Sequence, residues 1–275
     1  MAIIDVQVHA YDRNHPGRPW LRSMHGPASV TGDEMVAAMG VAGVDGAILV
    51  STYTLYGFDP SYAVECHAKH PGKFGLVAPI DSNDPASADF VADWAHNKGA
   101  VGVRVVVMQS ETKSADDPGM GRVFAAAAKH GLPVNVLIWG HLEASDALMA
   151  RNPNTVMVID HLGLVQSNPA QPEPWKELPK ILAMARHKNV RIKISAACTM
   201  SHEPYPYNDI WDPVMRIIDA YGVERCMWGT DWTRAANVTY KQAVDAFLTS
   251  PRLSDSDKAL LMGGNVEKIY GWSPC

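Results

Sequence analysis

The chain has 275 residues, 47% of them hydrophobic and 19% charged, with a formal net charge of −5. This is an ordinary globular balance, long enough for one barrel-sized domain or two smaller ones. No basic block or aromatic-basic stripe is present, which excludes the usual footprint of a nucleic-acid partner. The apolar runs are all well short of a membrane span. The N-terminal MAIIDVQVH lacks the pattern of a signal peptide. Cys66, Cys198, Cys226 and Cys275 are scattered without CxxC spacing, so reduced thiols and a cytoplasmic location are expected.

In chain order, short β-branched runs predict strands over 3–9, 46–51, 74–78, 102–107, 134–139, 156–160, 190–195 and 225–229. Most are continuously hydrophobic, as parallel strands covered on both faces are. Helical patterns fall between them at 32–42, 86–98, 121–130, 142–151, 175–187, 210–221 and 240–250. Gly131-Leu132-Pro133 and Asn152-Pro153 punctuate helix ends. Eight βα units predict a single α/β domain over 1–275, a (β/α)8 TIM barrel. A doubly wound sheet is disfavoured because no strand is followed by GxGxxG. The polar, proline-rich stretches 12–32, 166–175 and 201–208 follow strands one, six and seven. In a barrel these loops lie on the catalytic face.

Polar residues stand where the apolar strands stop. Strand one ends in Asp5, Gln7 and His9, with Gln7 and His9 on one side of the strand by its period of two. Arg104 lies in strand four, Asn135 in strand five, and Trp139 and His141 follow it. Strand six ends in Asp160-His161, strand seven carries Lys193 and Ser195, and strand eight ends in Thr230-Asp231-Trp232. Unpaired charge is costly to bury, so their gathering at strand ends points to one pocket. Asp231 is the strongest candidate. Asp5 reads as structural, bonding a neighbouring strand. Arg104 and Lys193 read equally well as ion pairs on the barrel floor, and His141 reads equally well as a surface residue at a helix start.

The segments DVQVH at 5–9, DHLG at 160–163, KIS at 193–195, WGTDW at 228–232 and GGNVEKIYG at 263–271 together resemble the amidohydrolase-related branch of the amidohydrolase superfamily. The resemblance is to its lactonase group, which includes 2-pyrone-4,6-dicarboxylate lactonase and fuconolactonase-like enzymes. It spans nearly the whole chain and implies a distorted (β/α)8 barrel, hydrolase chemistry, and active-site positions at His9, His161 and Asp231. The departure is Gln7, which stands where metal-binding members carry a histidine and a decarboxylase branch carries Glu. A neutral amide is a poor ligand for a transition metal. The expected cofactor is therefore none, or one weakly held divalent metal, zinc for preference, on His9, His161 and Asp231.

The expected reaction is opening of a small carboxylated lactone or ester. Asp231 would act as general base, with His161, His9 and Gln7 donating hydrogen bonds to the carbonyl oxygen. Arg104 is suited to a substrate carboxylate. Lys193, Trp20, Tyr53, Trp139, His141, Trp232 and Arg234 are the further candidates for substrate contact. Two alternatives remain open at this point: a metal-dependent decarboxylase or C–N hydrolase on the same barrel, and a catalytically silent barrel that binds a small molecule. The partners expected are a small-molecule substrate and, because barrels of this size often pair, a second copy of the chain.

Overall fold

The computed structural model describes residues 2–167, 169–235 and 237–275. Eight parallel strands form one sheet in sequential order. They are β1 Ile4–Val8, β2 Gly46–Val50, β3 Phe74–Pro79, β4 Ala100–Val106, β5 Val134–Leu137, β6 Met157–Ile159, β7 Val190–Ser195 and β8 Cys226–Gly229. The helices are α1 Gly32–Ala42, α2 Tyr53–Tyr56, α3 Ser61–Lys69, α4 Ser87–Trp94, α5 Pro118–Lys129, α6 Leu142–Arg151, α7 Leu178–Met184, α8 Trp211–Tyr221, α9 Tyr240–Leu248, α10 Asp255–Ala259 and α11 Asn265–Tyr270. None is long and apolar enough to cross a membrane among the described residues.

The strand period of two divides the core. Ile48 and Val50 join Ile4, Val6, Val77, Val158 and Met227 in an inner cluster, whereas Ala47 and Leu49 pack outward with the helices. The expected barrel is thus present, with helix limits drawn in. The pattern over 175–187 yields only Leu178–Met184. The segment 53–62, to which no element is assigned from the sequence, contains α2 and the start of α3.

The seam between β1 and β8 is closed by individual hydrogen bonds. The Asp231 N–H donates to the Gln7 carbonyl at 2.9 Å. The Asp5 carboxylate accepts from the Thr230 N–H at 2.9 Å and from its hydroxyl at 2.5 Å. This is the structural role expected of Asp5. A Cβ on Gly229 would lie 3.0 Å from Asp5 Oδ1 and 3.1 Å from the Gln7 nitrogen, so glycine permits the close approach. The register of β1 against β2 slips between Asp5 and Val8, a bulge of the kind that re-aims side chains. Val8 then packs with the outer core, while Gln7 reaches Lys193 on β7, across the barrel interior.

The GGN…YG segment closes the opposite end. Val266 and Tyr270 of α11 belong to the inner cluster, and the Tyr270 hydroxyl donates to Asn135 Oδ1 at 2.7 Å. The Asn265 amide donates to the carbonyls of Val223 and Cys226 at 2.7 and 2.8 Å. Gly263 abuts the Ala2 carbonyl, 2.2 Å from where a Cβ would stand. Gly263→Ala is therefore expected to lower stability by about 1–3 kcal/mol, as overpacking against backbone does, read as a lower urea midpoint with unchanged m-value.

Candidate active site

A chain of three hydrogen bonds sets the chemistry of strand one. The Lys193 ammonium, which can only donate, reaches Gln7 Oε1 at 2.7 Å. That fixes the amide: Gln7 Nε2 faces His9 Nε2 at 3.3 Å. His9 Nδ1 lies 2.7 Å from the Val50 carbonyl and must donate to it. Nε2 of His9 is consequently the unprotonated nitrogen and accepts from Gln7. Burial pushes the His9 pKa down to about 3, with the Arg104 charge adding to it, so the ring is neutral at physiological pH. The expectation that His9 donates to a carbonyl oxygen is corrected here, because the nitrogen facing the site carries a lone pair. Gln7 is corrected likewise. It is fully buried with oxygen and nitrogen both engaged, by Lys193 and His9.

Beneath this chain lies a buried ion cluster. Asp160 accepts from Arg104 Nε at 2.7 Å and stands 3.0 Å from the Lys193 ammonium. Burial alone would raise the Asp160 pKa, but the charges of Lys193 and Arg104 outweigh it and hold this carboxyl well below the usual carboxylate range. Lys193 has no exposed surface, so its expected substrate contact gives way to the ion-pair reading. Arg104, 6% exposed, has its Nε on the same carboxylate. Asp160 was not among the candidates, yet two cations on inner strands require an anion between them.

Asp231 lines the cavity, and His161 lies buried beside it. Asp231 Oδ1 lies 3.4 Å from His9 Nε2, and Oδ2 lies 3.9 Å from His161 Nδ1. Oδ1 is buried without a hydrogen-bond partner. Two acceptors face each other across the first contact, which favours a proton on the carboxyl. Burial lifts the Asp231 pKa to about 7, with Arg234 and Arg104 opposing. His161 Nδ1 is 3.1 Å from the Ser195 hydroxyl, and burial pushes its pKa down to about 3 despite Asp160. The ring is also neutral, and Trp139 packs on it at 5.5 Å between centroids. The backbone turns left-handed at His161, Leu162, Ala196 and Asp231, with φ of 52°, 61°, 55° and 46°. Such conformations cost on the order of 1 kcal/mol or more and gather at functional sites.

Of these groups, Asp231, Trp139 and Ala196 line a cavity of ≈220 Å³ with His25, Gln166, Ser167, Thr199 and Arg234, whereas His9 and His161 lie behind its wall. Two expected contacts, Trp139 and Arg234, are there. Arg234 also donates to the His25 carbonyl at 2.9 Å. Four are elsewhere. Trp20 donates to the Asp12 carbonyl and meets Tyr11 edge-on. Tyr53 packs on Phe58. His141 precedes α6, its carbonyl accepting from Ser145. Trp232 stacks on Tyr240 and lines a separate, larger cavity between α1 and α9. Sequence reasoning missed His25, Gln166 and Thr199 because loop residues carry no period. Gln166 Nε2 donates to the Ser195 carbonyl at 2.8 Å, tying the loop after β6 to β7.

The donor set does not fit a tightly held divalent metal. The lone pair of His9 Nε2 already accepts from Gln7, and the Gln7 oxygen accepts from an ammonium. Among the described residues, no group of three or more His, Cys, Asp or Glu side chains is arranged to hold an ion.

The amidohydrolase family model matches residues 4–272. The L-fucono-1,5-lactonase of Burkholderia ambifaria is 26% identical over 228 residues, 77% of this chain and 75% of that protein. An amidohydrolase from Burkholderia multivorans, crystallised with zinc, superposes with a TM-score of 0.80 at 21% identity, covering 99% of this chain and 100% of that one. A probable 2-pyrone-4,6-dicarboxylic acid hydrolase from Acinetobacter baumannii with citric acid bound gives 0.78 at 17%, with the same coverage. At these identities the two structures share the fold with this chain.

Proposed function

The chain belongs to the amidohydrolase family, and from that premise we propose that it hydrolyses a small acidic lactone with Asp231 as general base and without a bound metal. The observation that carries the reading is Asp231 itself: a cavity-lining carboxyl with one unpartnered oxygen and a pKa lifted to about 7. A base poised near the working pH is the most effective proton acceptor. Support for a lactone comes from the L-fucono-1,5-lactonase relative, and for an acidic one from Arg234 on the cavity wall.

In the proposed cycle, ionised Asp231 takes a proton from water as the water oxygen bonds to the lactone carbonyl carbon. The cycle assigns the Ser195 hydroxyl as donor to His161 Nδ1, 3.1 Å away, and the proton of the neutral ring to Nε2. That N–H bonds the carbonyl oxygen as it becomes negative. The tetrahedral centre collapses by breaking the ring C–O bond. Asp231 returns its proton to the departing alkoxide, giving a hydroxy acid. The Gln7 carbonyl accepts from the Asp231 N–H at 2.9 Å, which fixes the backbone that carries the base, and Arg234 pairs with the substrate carboxylate.

A screen of lactones with a pH-indicator readout, in buffer containing a chelator, tests the reading. Turnover is expected to survive chelation; activity that disappears with the chelator and returns with divalent metal would sink it, and release of carbon dioxide would favour a decarboxylase. Asp231→Asn is expected to lower kcat by at least about a hundredfold; near-parental kcat would rule out Asp231 as the base. The pH dependence follows from Asp231. The rate kcat/KM should rise with pH and reach half its plateau near pH 7, the value to which burial lifts this carboxyl. Stability runs the other way. A folded-state pKa raised from 3.8 to about 7 contributes stability that is fully present below pH ~4 and lost as pH rises through ~7. The same Asn variant should therefore melt no lower than the parent at pH 8.

A further inference from the structure

The Lys193 ammonium is fully buried, bonded to Gln7 Oε1 at 2.7 Å and 3.0 Å from Asp160 Oδ1. Arg104 takes the other Asp160 oxygen. Two cations therefore share one carboxylate directly behind His9. We propose that Lys193 is a positioning residue that bars divalent metal from this site: it locks the Gln7 amide with its N–H on His9 Nε2 and keeps positive charge where a metal would bind. For an ion to take the His9 lone pair, Gln7 must rotate. Rotation would bring its NH2 onto the ammonium, donor against donor, and strip Lys193 of its acceptor oxygen. The ion would also enter the field of a cluster that is already net positive. Lys193 thus acts through Gln7 and through its charge, and touches no substrate. This inference shares the metal-free site of the proposed function but does not depend on the reaction assigned to it.

Zinc binding, measured by calorimetry with no substrate present, tests it. The variants are Gln7→Glu, which is isosteric and offers a carboxylate beside His9 and Asp231, and Gln7→Glu combined with Lys193→Met. In the first, Lys193 pairs with the new carboxylate and zinc is expected to bind weakly. In the second, Asp160 keeps Arg104 as its counter-ion and zinc is expected to bind at least about tenfold tighter, a typical scale for groups that support a metal site. Equal affinities in the two variants would overturn the proposal, as would one equivalent of zinc retained by the parent through gel filtration. Should the double variant fail to fold, Gln7→Glu alone decides. No zinc retained after gel filtration supports the proposal, and one equivalent per chain overturns it. A hydrolase reading that fails in the lactone screen leaves these outcomes unchanged, because none of them is read from activity.

Discussion

The hydrogen bonds from Lys193 to Gln7, from Gln7 to His9 and from His9 to the Val50 carbonyl run in one direction only. Lysine cannot accept and a carbonyl cannot donate, so every proton between these two ends is assigned. The rest of the site inherits that assignment. The His9 nitrogen that faces Asp231 carries no proton to donate to it, and burial raises the pKa of that carboxyl against the charges of Arg234 and Arg104. In the proposed cycle, donation to a substrate oxygen therefore falls to His161, whose Nδ1 lies 3.1 Å from the Ser195 hydroxyl. The amide at residue 7 thus sets which nitrogen of His9 is bare.

The barrel supplies the rigidity that such a chain needs. Its open seam is clamped by Asp5, whose carboxylate holds the Thr230 N–H and hydroxyl just past β8 and the Gln7 N–H on β1. One buried acid thereby sets both the residue that orients His9 and the backbone entering Asp231. Burial lifts the Asp5 pKa to about 6, against the bonds from Thr230 and Gln7. The left-handed turns at His161, Ala196 and Asp231 end β6, β7 and β8 abruptly, so that neighbouring strands deliver side chains to one cavity instead of continuing past it.

Much of this is legible in the sequence because strands have a period. Eight apolar runs gave the barrel, and the pairing of Gln7 with His9 on one side followed from residue spacing. The bulge in β1 was invisible, since nothing in IDVQV marks an extra residue, yet it determines that Gln7 turns toward Lys193. The protonation pattern was equally hidden. It depends on Lys193, 186 positions away in sequence from Gln7, and on a backbone carbonyl that no side-chain motif records. Trp20, Tyr53, His141 and Trp232 lie outside the Asp231 cavity for a simpler reason: following a strand puts a residue on the right face of the barrel without saying which way its side chain points. The GGN…YG segment, which had no catalytic logic, proves to close the far end of the barrel through Gly263, Asn265 and Tyr270.

The proton on His9 is the most direct point of test. Nitrogen-15 NMR of the histidine rings, with His9 assigned by comparison with a His9→Gln variant, reports which nitrogen is protonated at each pH. The expected result is a neutral His9 protonated at Nδ1 with Nε2 bare, unchanged from pH 5 to pH 8. A ring protonated at Nε2, or one that takes up a second proton near its ordinary pKa of about 6.5, would contradict the hydrogen-bond chain on which the whole site rests.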